Sequence, residues 1–181
     1  MKNIFFTKLR LLIGARKAGC CKQYQWRIIT AKSIDDLIHT YKSGLRFCLA
    51  NDYPDKEFIV RHFTKDELHR HGIYIDEQID TTQAAKRRTI VALGYSEGLI
   101  EYNDWCEHRV AVTHTAEVNI NARGHTFIIV YIYGKAKVNI HLEDHASVVA
   151  YFYDRAAKPV ISRASESRAT FKVIHRETQS K

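Results

Sequence analysis

Residues 118–137, VNINARGHTFIIVYIYGKAK, run without a gap into VNIHLEDHASVVAYFYDRAA, so one segment is written twice with a period of 20 residues. In register, Val118 matches Val138, Asn119 Asn139, Ile120 Ile140, His125 His145, Tyr131 Tyr151, Tyr133 Tyr153 and Ala136 Ala156. A fixed period of this length marks stacked supersecondary units, none of which can bury its apolar face alone. Steps of 20 in both directions place 89–93, 109–113, 129–133, 149–153 and 169–173 at equivalent positions, and Gly94 falls two periods before Gly134. The fold expected is mainly β: a short right-handed parallel β-helix of about five rungs over residues 78–177, preceded by an N-terminal α-helical cap. With strands ~4.8 Å apart, five rungs rise only ~25 Å.

Alternation within the repeat sorts side chains into columns. Val118, Ile120 and Ala122 share one orientation, with Val138, Ile140 and Leu142 stacked on them, while Asn119 and Asn139 point the other way. Two further columns are Tyr131/Tyr151/Phe171 and Tyr133/Tyr153/Val173. Lys172 shares the intervening column with Ile132 and Phe152, which favours the aromatic columns as inward-facing. Val110 and Val112 argue for the opposite parity. Polar Glu177 to Lys181 should fray as a tail (178–181), and Pro159 with the charges of Ser162 to Arg168 should blunt the last rung.

Ahead of the repeat, residues 1–34 hold eight basic groups and no carboxylate, the first acid being Asp35; the other 147 residues balance 20 against 20. Residues 1–32 therefore read as a basic arm, in which Ile4, Phe5, Leu9, Leu12 and Ile13 could line one face of a short helix. Residues 33–77 read as a helical cap. Ser33 with Asp36 and Thr64 with Glu67 make capping boxes, and apolar residues recur at helical spacing from Ile34 to Cys48. Pro54 suits the first turn of a second helix, and Gly72 a helix stop before the β-like Ile73 to Ile75. These helices should lid the first rung of the solenoid at 78–177.

Chemistry is sparse. Cys20, Cys21, Cys48 and Cys106 form no CxxC pair, which supports neither a disulfide scaffold nor a zinc finger. Among ten histidines, His62, His69 and His71, then Cys106 with His108, are the best metal candidates, yet helix-end and surface roles explain them more simply. His125 and His145, one period apart, could build a row of imidazoles. Glu143 and Asp144 near Arg123 read as a solvated turn with a surface ion pair. GxSxG, GxxxxGK[ST], HExxH and GxGxxG are absent. The pattern subdivides neither into the hexapeptide of left-handed β-helix acyltransferases, since positions 118, 124 and 130 hold Val, Gly and Val, nor into the five of pentapeptide-repeat proteins, since 120, 125 and 130 hold Ile, His and Val. No catalytic residue, cofactor or metal is expected.

Three uses of the arm rank in order: packing on the helical cap or a partner subunit, contact with phosphates, and, last, an anionic membrane surface. The residues that would meet a nucleic acid or anionic partner are Lys8, Arg10, Arg16, Lys17, Lys22 and Arg27, with Tyr24 and Trp26 suited to stacking on bases. No apolar run approaches the ~20 residues of a bilayer span. Lys8 and Arg10 interrupt any signal-like apolar region, so a cytoplasmic or particle-associated location is expected.

The stretch Asp52 to Asp55, Glu57 to Phe63, Glu67-Leu68 and Gly72 to Asp76, followed by strands such as Ala116 to Ile120, resembles uncharacterised proteins of gut Bacteroidales and their phages or mobile elements. That resemblance implies no activity and no site residues. The functional expectation is a non-enzymatic structural or protein-interaction module, with self-association or a protein partner. A nucleic-acid-binding protein is the alternative, and an enzyme with a histidine-lined site a distant third.

Overall fold

A computed structural model describes residues 4–153 and 158–177. The chain divides into two compact units, residues 1–71 and 72–181. The frayed tail expected at 178–181, and Ala156 of the repeat, lie outside the described residues.

The first unit is helical: α1 (Ile4–Lys17), α2 (Lys22–Thr30), α3 (Ile34–Ser43), α4 (Leu45–Ala50), α5 (Lys56–His62) and α6 (Lys65–Arg70). Both capping boxes form. The Ser33 hydroxyl accepts from the Asp36 amide while the Asp36 carboxylate accepts from Ser33, and Thr64 and Glu67 do the same for α6. Gly72, at φ 73°, ends α6 as expected. Two details differ. The run from Ile34 to Ala50 is two helices that meet at Gly44, where only glycine fits, because the Tyr24 ring lies 2.3 Å from where a Cβ would stand. Pro54 lies outside α5, whose cap is Asp55, accepting from the Phe58 amide at 2.6 Å.

The basic segment is not a separate arm. Helices α1 and α2 share one core with the rest of this unit: Leu11, Ala15, Tyr24 and Ile28 are buried along with Leu37, Ile38, Tyr41 and Cys48. The Tyr24 hydroxyl meets Cys48 Sγ at 3.3 Å, Thr7 Oγ1 shares a hydrogen bond of 3.1 Å with His62 Nδ1, and the Tyr53 hydroxyl donates to the Leu11 carbonyl.

The second unit is a parallel β-solenoid of about five turns. Its elements are β1 (Ile73–Ile75), α7 (Thr81–Ala84), β2 (Thr89–Leu93), β3 (Glu97–Asp104), β4 (Glu107–Val112), β5 (Glu117–Gly124), β6 (Phe127–Ile132), β7 (Lys137–Leu142), β8 (Ser147–Tyr153), β9 (Val160–Arg163) and β10 (Thr170–Arg176). Two sheets, ordered β1-β2-β4-β6-β8-β10 and β3-β5-β7-β9, face each other across the core. Each rung therefore contributes one strand to each sheet. Register is 20 residues throughout the middle, as in Thr89 with Arg109, Phe127 with Ser147 and Glu117 with Lys137.

The interior is built from β-branched columns, such as Ile90/Val110/Val130/Ala150 and Ile100/Ile120/Ile140, all at most 1% exposed. One turn column has positive φ at Asp76, Gly94, His114 and Gly134. That requirement favours glycine, which is why Gly94 and Gly134 recur at two periods. A second pair of left-handed turn residues is Gly124 and Asp144.

Three expectations are corrected. The parity of the β6/β8 sheet is the reverse of that expected: Ile128, Val130 and Ile132 are fully buried, whereas Tyr131 and Tyr151 point outward and stack at 5.5 Å. A tyrosine hydroxyl needs a polar partner when buried, and β-branched side chains fill the narrow space between two sheets without that cost. Of the two expected tyrosine columns, Tyr133 and Tyr153, at the turn, are the pair that is buried, stacked at 4.1 Å.

The period also does not extend to the last rung. Asn139 pairs with Val160 and Ser147 with Thr170, offsets of 21 and 23. Phe171 therefore stacks on Val148 rather than Tyr151, and Ile174 takes the place beside Tyr151. Finally, the solenoid begins at β1, the β-like Ile73 to Ile75, rather than at residue 78, and α7 follows before β2. Ile79 and Ala84 of this segment enter the core. Gly98 permits the approach, since a Cβ there would lie 2.9 Å from that of Ile79.

Candidate functional site

Helix α1 presents two apolar faces. Thr7, Leu11 and Ala15 recur every fourth residue and are buried. Phe5, Leu9 and Ile13 recur at the same spacing two positions earlier, which turns them about 200° around the helix. They point outward, at 65%, 44% and 47% exposure, with Phe6 beside them at 59%. The helical apolar stripe anticipated from the sequence thus exists, but it is the outer one. On α2, Trp26 and Ile29 are also exposed.

The six basic residues singled out from the sequence all lie on α1 and α2, and they are used differently. Lys8 Nζ donates to the Ala31 carbonyl at 2.8 Å, closing the C-terminus of α2. Arg16 Nε donates to Gln25 Oε1 at 3.3 Å, and Arg27 Nη1 to Ser43 Oγ at 2.9 Å. Arg10, Lys17 and Lys22 are exposed. Arg10 and Lys17, seven residues apart, share a helix face that adjoins Phe6 and Ile13. Tyr24, expected as a stacking residue, is buried.

Residues 1–71 hold fourteen basic and seven acidic groups, and the acids nearest α1 and α2 in sequence are engaged. Asp36 accepts from the Lys32 and Ser33 amides, which hold its carboxyl below the usual range. Asp35 binds His71 Nε2 at 2.8 Å and lies 3.5 Å from Arg70; the His71 hydrogen bond is the main cause that lowers its pKa. Burial lowers His71 too, outweighing the opposing pull of Asp35, so a neutral imidazole donates from Nε2.

In the solenoid, the imidazole row is present and longer than the repeat indicated. His125 stacks on His145 at 4.7 Å, and Trp105 on His125 at 3.9 Å, forming an exposed column of three rings at one turn. Trp105 was missed although it stands 20 residues before His125, because no ring type repeats there. The expected ion pair also forms, Arg123 Nε to Glu143 Oε2 at 3.1 Å, and Asp144 accepts from the Gly124 amide. On the outer face, Asn139 donates to Asn119 at 3.0 Å.

His108 is 1% exposed, stacks on Tyr102 and spends both ring nitrogens, on the Asp104 carboxylate at 2.9 Å and the Arg87 carbonyl at 3.2 Å. Burial would raise the Asp104 pKa, but the His108 hydrogen bond and charge prevail and lower it. Cys48 is buried, and burial pushes its thiol up to about 12, far from a thiolate. Among the described residues, no three of His, Cys, Asp and Glu gather in a way that could hold a metal, and no helix is long and apolar enough to cross a membrane. His62 bonds Thr7 and His71 bonds Asp35, so the candidate histidine cluster is dispersed.

The far end of the solenoid is a second exposed region. At the start, Ile79 and Ala84 close the core; at the finish, β9 and β10 are the last strands of their sheets and leave Val160 64% and Phe171 51% exposed. Arg163, Lys172 and Arg176 lie on these strands, as charged edges that resist pairing with a second sheet. Comparison of the chain with protein-family models, curated proteins and solved structures found no match.

Proposed function

We propose that the protein is a non-enzymatic interaction module: a rigid β-solenoid joined to a helical unit that docks on a partner through the outward face of α1. The observation that carries this reading is the double face of α1. A helix that packs Thr7, Leu11 and Ala15 inward leaves Phe5, Phe6, Leu9 and Ile13 exposed on its other side, and an exposed apolar patch marks an interaction site. A place in the assembly of a phage or mobile element would be one setting for such a module. The excess of basic groups also favours a second reading, nucleic-acid binding, in which the same helices supply salt-dependent phosphate contacts.

Cysteine accessibility tests docking whatever the partner is. Leu9→Cys and Ile13→Cys, with Glu97→Cys on the solenoid as a reference, are labelled with a membrane-permeant maleimide in expressing cells and again after purification. Docking predicts that positions 9 and 13 are protected in cells and reactive once purified, while position 97 reacts in both. Equal reactivity of all three in cells would refute it.

A further inference from the structure

The docking reading leaves the partner open, and the chemistry of the α1 face narrows it. We infer that this face binds the surface of an anionic lipid bilayer, with Phe5, Phe6, Leu9 and Ile13 entering the acyl boundary and Arg10, Arg16 and Lys17 at the headgroup phosphates. The inference rests on the docking reading and adds the identity of the partner.

Three features point the same way. The apolar residues recur from Phe5 to Ile13 of a 14-residue helix, and the helix is held along the unit's surface by its buried Thr7, Leu11 and Ala15 face. A helix lying in a bilayer interface has this orientation, one long side immersed. Basic side chains flank the patch: at helical spacing Arg16 continues the Phe5 and Leu9 line, and Arg10 and Lys17 border Phe6 and Ile13. Long basic side chains reach past an apolar layer to place charge in water. No carboxylate stands among residues 1–34 to repel an anionic surface, and the next acids in sequence, Asp35 and Asp36, are ionised but hydrogen-bonded to His71 and to the Lys32 and Ser33 amides.

A nucleic-acid duplex matches only half of this chemistry. Phosphates would satisfy Arg10, Arg16 and Lys17 but offer no apolar layer to Phe5, Phe6, Leu9 and Ile13. The bilayer surface is the partner that takes both. Membrane attachment needs two such signals, because either a few apolar side chains or a few charges alone gives only marginal binding.

Co-sedimentation of the full chain with extruded vesicles tests the inference. Vesicles of phosphatidylcholine containing about a third phosphatidylserine are compared with phosphatidylcholine alone, at low and physiological salt, with a generic DNA duplex as competitor. Three proteins are used: the unaltered chain, Phe6→Ser/Ile13→Ser, and Arg10→Gln/Lys17→Gln. All the substituted positions are exposed, and far-ultraviolet circular dichroism confirms the helix.

The expected result is binding to the anionic vesicles, at least roughly tenfold weaker in the Phe6/Ile13 variant. Each glutamine should cost about fivefold, and that cost should shrink at high salt. Absence of binding to anionic vesicles at low salt would overturn the bilayer assignment; protection of positions 9 and 13 in cells would still leave docking on another partner standing. Binding that the duplex abolishes, and that is indifferent to Phe6→Ser/Ile13→Ser, would overturn it in favour of nucleic acid.

Discussion

The inward parity of β6 can be tested by removing neighbouring side chains that differ only in which way they point. Ile132 is fully buried, stacked between Val112 and Phe152 of the adjacent rungs. Ile132→Ala deletes buried carbons from a site that cannot collapse, because hydrogen-bonded strands on both sides hold the rung spacing. Such changes cost about 2–5 kcal/mol, and a pinned site belongs in the upper half of that range. Tyr131 points outward, and its ring stacks on Tyr151 at 13° between planes. Tyr131→Ala forfeits that stacking, worth about 0.5–1.5 kcal/mol, and part of an apolar surface that water already reaches. Alanine at 132 should therefore destabilise at least twice as much as alanine at 131.

Urea unfolding followed by tryptophan fluorescence measures the difference. Trp26 lies in the helical unit and Trp105 in the solenoid, so a Trp26→Phe background reports the solenoid alone. With a slope of about 1.5 kcal/mol per molar urea, the 132 variant should shift the midpoint by about 2.3–3.3 M and the 131 variant by under about 1 M. Equal shifts, or a larger one at 131, would refute the inward placement of Ile132.

Other consequences are independent of that one. His71 is held below its ordinary value of 6.5, so the unfolded chain takes up this proton first. Its contribution to stability is intact above about pH 6.5 and falls away as pH drops through the folded value. Asp35, Asp36 and Asp104 are held below 3.8, and what they contribute is intact above that value and is lost as pH falls through their folded values. Thermal melts at pH 8, 5.5 and 3 should show the Trp26 signal weakening before that of Trp105, and a flat response between pH 8 and 5.5 would contradict the His71 assignment. Gly134→Ala should cost about 1–2 kcal/mol by denaturant melting, because φ is 67° and the new Cβ would meet the His114 backbone at 3.1 Å. A change of a few tenths would mean that the turn relaxes. Alkylation with iodoacetamide at pH 8 should modify exposed Cys21 rapidly and Cys48 only after unfolding, since Cys48 is buried with its thiol raised to about 12. Comparable rates, resolved by mass spectrometry, would contradict that burial.

Much of the architecture is legible in the sequence because it depends on local pattern. Two capping boxes, the Gly72 stop, the outward Asn119/Asn139 pair and the His125/His145 row all follow from residue type at fixed spacing. The position of the interaction face is harder to read. Ile4, Phe5, Leu9, Leu12 and Ile13 look like a packed stripe, whereas of the residues that pack, Thr7, Leu11 and Ala15, Leu11 alone is large and apolar. Small side chains pack because they let helices approach closely, and a composition-based reading passes over them.

The chain's own pattern was enough for a parallel solenoid with a 20-residue rung, since a repeated segment in strand-forming residues can bury itself only by stacking on its copies. Tertiary structure decided the signs of the pattern: which parity of β6 faces inward, which side of α1 faces out, and which end of the solenoid is closed. Periodicity reports that two faces differ. Which of them is buried depends on what lies opposite, and runs such as Ile90 to Leu93, apolar and buried at both parities, carry no preference of their own. The same holds for the last rung, where one and then three extra residues of offset move Phe171 from Tyr151 to Val148. Hydrogen-bonded strands align by contact in space, and a period counted along the chain does not record where extra residues are looped out.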